Sequence, residues 1–460
     1  MNITQLKSLI RGELITDEAG LEARASDFGR MVHKKPGAVV RPKDAEDVAS
    51  VLRFANDMGY QVATRGEAHS QTGQALVEGG IVLDLTSLNA VISVDPEGLT
   101  VTCQSGVVWR NLVEHLKPMG LIPRVLTNNL GVTIGGTLSV AGLGVASFRY
   151  GTQADNAVEL EVVTGRGDIV VCSAEQEPDL FNHVRSGLGQ FGVITRATMK
   201  VRPFKPMVRR YFFLYDNLDK FMSDARMLMD TDRCDFLESW CVPAPMGFRT
   251  VGNEKQTFGE WFFPLHLTKE FDPEAPPDDA IVTKGLSYYR FTHVEDEPIH
   301  DFANRLEPLF VLWKLSGYWA NKHPWMESVL PWESGKEYIK NVLAILPPAS
   351  LGGGHILLWP CKGTTSTVPL FMRPPDEWVI GFGILPGVPK ERIELAVERL
   401  NLASEISEMA GGKRYLSGMI NFDKEKWAAH FGEMWPEVNR LKKTYDPKHV
   451  LNPGFILYEE

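Results

Sequence analysis

The stretch Thr64-Arg65-Gly66-Glu67-Ala68-His69-Ser70-Gln71-Thr72-Gly73-Gln74 constrains this chain more than any other. An apolar-rich run, Tyr60 to Ala63, leads into it, and another, Gly80 to Leu85, follows. Glycine and alanine do not obstruct close approach, so a loop of this kind lets backbone N–H groups crowd against an anion. His69 would then sit beside whatever that anion belongs to. The same residues also suit a surface turn carrying a solvated histidine. The loop alone does not choose between the two, and the rest of the chain has to decide.

At 460 residues the chain is long enough for about two or three domains. A formal net charge of −10 provides no basic field to recruit phosphates, which argues against a nucleic-acid partner. No apolar run spans a membrane, and Met1 to Arg30 alternates polar and apolar residues without a signal-peptide core. The five cysteines (Cys103, Cys172, Cys234, Cys241 and Cys361) are scattered and include no CxxC pair. That fits reduced thiols in a cytoplasmic protein, with neither a disulfide frame nor a metal site.

Taken in order, Asp44 caps a helix with Val48, Val51, Leu52 and Ala55 on its apolar face, ending at Gly59. Val91 to Val94 and Leu99 to Cys103 form a hairpin across Asp95-Pro96-Glu97-Gly98, and a short helix runs from Val108 to Leu116. The segment Thr127 to Gly144 is then almost entirely small, with hydroxyls at Thr133, Thr137 and Ser139. A packed core needs volume that this segment lacks. It suits a wall against which a flat or phosphorylated ligand lies, or a tight helix–sheet contact. Ala157 to Val163 and Ile169 to Cys172 are paired strands, and Leu180 to Val184 is a short helix. Gly187 to Thr195 is a second glycine-rich loop. Its spacing matches GxGxxG, but it runs into a strand, so a Rossmann reading is weak.

After Pro203 the chain is richer in Trp, Tyr, Phe and Pro, with strand-like runs at Arg210 to Tyr215, Phe258 to Phe263 and Val379 to Leu385. Phe271 to Asp279 is the expected flexible insertion. A helix from Glu425 to Leu441 precedes the final turn, Tyr445 to Gly454. The layout is α+β.

Residues 37 to 203 and the final turn resemble the PCMH-type FAD-binding oxidoreductases of the vanillyl-alcohol-oxidase superfamily, and within it the cytokinin dehydrogenases. The likeness rests on Arg65-Gly66, His69-Ser70 and Gly73-Gln74; on Gly135 to Ser139 with Ala141-Gly142; on Phe148 to Gly151; on Val162 to Gly165; on Gly187 to Thr195; and on Tyr445 to Lys448. The resemblance implies an FAD domain over residues 1–203, completed by 425–460. An inserted substrate domain, an antiparallel sheet covered by helices, would span 204–424. It implies FAD bonded covalently through His69, with Arg65, Gly66, Glu67, Ala68, Ser70 and Gln74 about the pyrophosphate. Thr133, Gly136, Ser139, Gly142 and Leu143 would line the opposite side. Val193 and Ile194 would meet the adenine end and Asn452 would lie near the isoalloxazine, with Gly192 and Asn128 also among the cofactor-binding residues. No cysteine occurs between Thr127 and Ile134, so one covalent link is expected.

The departures bear on function. Where the family carries a catalytic aspartate in Trp-Thr-Asp, this chain has Leu126-Thr127-Asn128, and an amide cannot act as a base. Pro264 is aligned with the family's substrate-domain acid. Met419 to Asp423 replaces a tyrosine-containing segment and makes Asn421 and Asp423 catalytic candidates beside Asn128. Glu238 and His355 are further candidates for a base. Trp313, Tyr318, Trp319, Trp325 and Trp332 either wall an aromatic substrate or form core. The expected activity is hydride transfer from a small alcohol or amine to FAD, with oxygen or another acceptor taking the electrons. A divergent cytokinin dehydrogenase and a non-catalytic flavin binder are the alternatives.

Overall fold

The computed structural model describes residues 1–459, so Glu460, the last residue of the expected C-terminal tail, lies outside the described residues. The architecture is α+β, with three sheets following one another along the chain. The first contains β1 (Glu13–Ile15), β2 (Ala38–Arg41), β3 (Val62–Arg65) and β4 (Ile81–Asp84), in the order β1-β2-β4-β3. Strands β2 and β3 both run parallel to β4. Parallel strands need crossovers: the helix Ala45–Met58 carries the chain from β2 over to β3, and residues 66–80 return it to β4 between them. Its Val48, Val51, Leu52 and Ala55 pack fully buried against Val40, Ile81 and Leu83. Each larger side chain so buried stabilises the fold by about 1.5–3 kcal/mol. Asp44 accepts the Asp47 N–H at the start of the helix, and Gly59 ends it with a left-handed φ of 71°.

The second sheet is antiparallel: β5 (Val91–Asp95), β6 (Thr100–Gln104), β7 (Leu121–Pro123), β8 (Ala157–Thr164), β9 (Ile169–Ser173) and β10 (Gly192–Pro203). Its order is β5-β6-β10-β8-β9, with β7 also paired to β10. Both expected hairpins are present, in the register Val91↔Cys103 and Val163↔Ile169. The third sheet has eight strands: β11 (Met207–Tyr215), β12 (Phe236–Val251), β13 (Glu254–Phe271), β14 (Arg290–Pro298), β15 (Met326–Pro331), β16 (His355–Lys362), β17 (Trp378–Leu385) and β18 (Lys413–Arg414). All eight residues of β17 are buried, as expected of a strand lying between β16 and β15. One apolar core joins the second and third sheets, running from Trp109, Leu138 and Phe148 through Tyr211 and Phe213 to Ile380 and Phe382.

One expectation needs correction. The helix foreseen from Glu425 to Leu441 is two helices, Lys424–Phe431 and Trp435–Tyr445. Gly432 turns the chain between them with φ 53°, and Pro436, lacking an N–H, opens the second helix instead of extending the first. The segment Phe271 to Asp279 is pinned at its far end, where Asp279 accepts from Tyr211 Oη at 2.7 Å and Arg209 Nη1 at 2.9 Å. Beyond the last helix the chain returns to the first sheet. Val62 donates to the Val450 carbonyl and Asn452 donates to the Val62 carbonyl, both at 2.8 Å, so the C-terminal tail lies along β3.

Candidate active site

The loop after β3 is held from behind by the N-terminal segment. Asp27 accepts from Gly73 N at 2.7 Å, from Ser70 Oγ at 3.1 Å and from Arg30 N at 3.1 Å. Phe28 N donates to the Ala68 carbonyl and Gly29 N to the Ser70 carbonyl, both at 2.9 Å. On the other side, Gln74 Nε2 donates to the Gly418 carbonyl at 3.0 Å. Among the described residues no protein acceptor takes the backbone N–H groups of Glu67, Ala68, His69 and Ser70. Ala68 sits at φ 49°, a left-handed conformation that turns successive N–H groups to one side and forms an anion-binding concavity.

Opposite this loop is the short helix Ile134–Leu138, capped by Thr133. A Cβ at Gly66 would lie 2.2 Å from Thr133 Oγ1, so the loop and the helix approach at a distance only glycine permits. Asn452 ties the third wall. Its Oδ1 accepts the Thr64 N–H at 2.9 Å and its Nδ2 donates to the Gly189 carbonyl at 2.7 Å. Leu188 and Asn452 join Ala68 with positive φ (55° and 43°), so strained backbone is concentrated around this space.

The walls enclose a cavity of about 360 Å³. It is lined by Arg65, Gly66, Glu67, Ala68, His69, Ser70 and Gln74; by Asn128, Thr133, Gly136, Ser139, Gly142 and Leu143; by Gly192, Val193 and Ile194; and by Asn452. Stretches separated by hundreds of residues thus share one surface. The free N–H groups, the small-residue wall and the glycine-only contact suit a flat, phosphorylated cofactor such as the FAD that the resemblance implies. The far side of the cavity is apolar and aromatic, built by Leu306, Phe310, Trp313, Trp325, Leu357 and Trp359. Of the aromatic candidates, Trp313 and Trp325 reach the cavity, while Trp332 packs in the core with Trp378. Trp359 is an unforeseen wall residue. A Cβ at Gly381 would lie 1.9 Å from its indole, so that glycine makes room for the ring.

His69 is half-buried in an aromatic cage. Its ring centroid lies 4.1 Å from that of Phe28 and 5.5 Å from that of Trp325. Phe28 stacks in turn on His323 at 4.4 Å. Burial, with some repulsion from His323, lowers the His69 pKa to about 3, so its imidazole is neutral and nucleophilic at ordinary pH. Cys361 also lines the cavity, but burial pushes its thiol up to about 12 and keeps it protonated.

The acids are distributed differently from the sequence expectation. Asn421 and Asp423 do not line the cavity. Asn421 is exposed and donates to Asn401 at 2.8 Å, while Asp423 is exposed and caps the helix Lys424–Phe431. The backbone of that segment, at Gly418 and Ile420, holds the His69 loop, whereas the two side chains turn away. Pro264, opposite Leu214 in the β11–β13 ladder, is not the cavity counterpart of a substrate-domain acid. Glu238 on β12 does line the cavity and is joined to Asn128 through Arg305. Burial works against ionisation of Glu238, but the charge and hydrogen bonds of Arg305 outweigh it and hold the carboxyl below its usual value. His355 lines the same space, and burial lowers its pKa to about 4.

A third cavity acid beside Glu67 and Glu238, Glu327, was missed. It sits on β15 with a pKa raised to about 6 by burial, partly offset by a hydrogen bond from Ser417 and by the charge of Arg414. Its signal in the sequence was faint: an acid in the apolar run Met326-Glu327-Ser328-Val329-Leu330, where a charge has no reason to be buried unless it is used. Asp27, Phe28 and His323 were not singled out either, because only the fold brings them behind His69.

Two family matches cover most of the chain. Residues 36–173 match the FAD binding domain family, and residues 205–458 match a family described as cytokinin dehydrogenase 1, FAD and cytokinin binding. The likeness therefore extends through the region where the sequence motifs thin out. An uncharacterized oxidoreductase, ORF5 in the fasciation locus of Rhodococcoides fascians, is 32% identical over 441 residues, covering 96% of this chain and 98% of that protein. Cytokinin dehydrogenase 9 of Oryza sativa subsp. japonica is 31% identical, covering 96% and 89% of the two chains. Cytokinin dehydrogenase 4 of Arabidopsis thaliana is 30% identical, covering 96% and 91%.

Proposed function

The chain belongs to the cytokinin dehydrogenase family of FAD-dependent oxidoreductases, and from that premise we propose that it oxidises a small aromatic amine or alcohol using a flavin linked to His69. The observation that carries the reading is the single cavity in which the His69 loop, the small-residue wall and Asn452 face an aromatic pocket holding Glu238 and Glu327. We assign the cofactor to residues 1–203 with the tail from 425, and the substrate to the walls contributed by 204–424.

Bound FAD supplies the hydride acceptor and the path by which electrons leave to oxygen or another acceptor. The protein does the rest. The N–H groups of Glu67, Ala68, His69 and Ser70 would hold the cofactor's pyrophosphate, and neutral His69 would be the residue available to link to it. Trp313, Trp325 and Trp359 enclose the substrate ring and exclude water. Glu327 is the better-suited proton acceptor, because a pKa of about 6 leaves it ionised at neutral pH yet still basic. Glu238 is committed to Arg305 at 2.7 and 2.9 Å.

The divergent cytokinin dehydrogenase remains the second reading, favoured by the whole-length likeness to named cytokinin dehydrogenases. Purified protein denatured in acid and run on a gel should keep flavin fluorescence in its band, and His69→Ala should lose it while still binding FAD. Anaerobic mixing with amines, alcohols and isoprenoid adenines should bleach the flavin for at least one class. Protein that binds no FAD, or a flavin that no class reduces, would sink the proposal.

A further inference from the structure

The hydrogen-bond polarity of the cavity at Asn128 is set by a residue outside its wall. Arg305 follows the helix Ile299–Ala303. It donates from Nε to Glu238 Oε2 at 2.9 Å, and from Nη2 to Glu238 Oε1 and to Asn128 Oδ1, each at 2.7 Å. Its Nη1 reaches the Phe302 carbonyl at 3.3 Å, and the guanidinium lies 4.7 Å from the Phe302 ring centroid. The Arg305 and Glu238 side chains are each only 6% exposed. A guanidinium has donors and no acceptor, so of the two ends of the Asn128 amide only the oxygen can face it. Both Nη2 protons are then taken, which fixes the amide. Its Nδ2 has no protein acceptor among the described residues, and Asn128 lines the cavity.

We infer that Asn128 is a specificity-determining hydrogen-bond donor. The site selects a substrate that presents an acceptor oxygen (hydroxyl, ether or carbonyl) to Asn128 over one that presents a secondary-amine N–H there. The inference rests on the cavity being the substrate site of a flavin oxidoreductase. An amine N–H brought against Nδ2 would set two donors face to face and leave both unsatisfied. Glu238 is the acceptor in the cluster, and Arg305 engages both its oxygens. A mismatch of this kind weakens binding by roughly 10- to 100-fold.

The test uses two purines that differ at one position, 6-(benzylamino)purine with N–H and 6-(benzyloxy)purine with oxygen. Each is titrated into the holoenzyme without oxygen and followed by the visible flavin spectrum. Wild type should bind the oxygen compound about 10-fold or more tightly. Asn128→Asp presents oxygen whichever way it turns, so the ratio should shift about 10-fold or more toward the amine; Asn128→Ala should abolish the preference. An unchanged flavin spectrum before ligand addition shows that a variant has folded. Equal or tighter binding of the amine by wild type, or the same ratio in Asn128→Asp, overturns the inference, as does failure of both purines to bind. Flavin bleaching by benzyl alcohol or benzylamine, which needs no purine, shows separately whether the oxidoreductase reading survives.

Discussion

Glu327 and Glu238 are both glutamates on neighbouring parts of one sheet, yet their surroundings give them opposite character. Glu238 shares its burial with a guanidinium and stays ionised as half of a structural pair. Glu327 has a hydroxyl partner, Ser417, and burial dominates. A base works only when deprotonated. Activity that depends on Glu327 should therefore fall as pH drops through about 6 and level off above it. Glu327→Gln should lower kcat by roughly 10²- to 10⁴-fold and remove the acid limb of the pH profile, with ligand binding little changed. An intact acid limb in the variant would transfer the role to another group. The sequence singled out Glu238 and not Glu327, and only their environments show which of the two stays basic near neutral pH.

At the scale of elements, a buried ion pair adds to the hydrogen bonds that fasten the C-terminal tail to the rest of the fold. Lys442 Nζ donates to Asp446 Oδ2 at 2.7 Å, with the two side chains 2% and 0% exposed. The same ammonium reaches the carbonyls of Gln190 and Leu451, each at 3.1 Å, while Asp446 accepts from Val450 N at 3.0 Å and Leu451 N at 2.9 Å. The pair thus locks the helix Trp435–Tyr445 to the glycine-rich loop and to the strand-like tail that carries Asn452 into the cavity. Gly165 fits beneath it because a Cβ there would lie 2.5 Å from Asp446. Lys442→Met removes one partner from a pair shut off from water. It should destabilise the protein by about 3–5 kcal/mol, read as a lower urea midpoint, and should weaken flavin retention. A change below 1 kcal/mol would show that water takes the place of the ammonium.

For the molecule as a whole, acid should be a strong denaturant. His323 and His430 are buried, and burial lowers their pKa values from 6.5 to about 4 and about 3. Between those values and 6.5 the unfolded chain binds protons that the folded chain refuses, so these two rings take stability away as pH falls below 6.5, while the raised pKa of Glu327 works the other way below about 6. At pH 5 each of the two contributes about 2 kcal/mol of destabilisation relative to neutral pH. Thermal unfolding from pH 7.5 to 5 should show the loss, and His430→Phe should flatten it. A melting temperature independent of pH in that range would mean these rings are hydrated in solution.

Local chemistry made part of this protein legible without a structure. The capped helix ending at Gly59, both hairpins and the chain's cavity-lining loops are dictated by short-range rules: capping side chains, alternation, and glycine where backbones approach. So is the lack of bulk in Thr127 to Gly144, although the residues alone left open whether that segment lines a ligand or packs closely against a sheet. The tertiary structure decided whatever depends on neighbours distant in sequence. It turned Asn421 and Asp423 outward, placed Glu238 rather than Pro264 at the cavity, and raised the Glu327 pKa to about 6. It also put Phe28 and His323 behind His69 and fixed the Asn128 amide by Arg305, 177 residues away. A side chain's charge state and the end of an amide it presents are set by what surrounds it, and those surroundings exist only once the chain has folded.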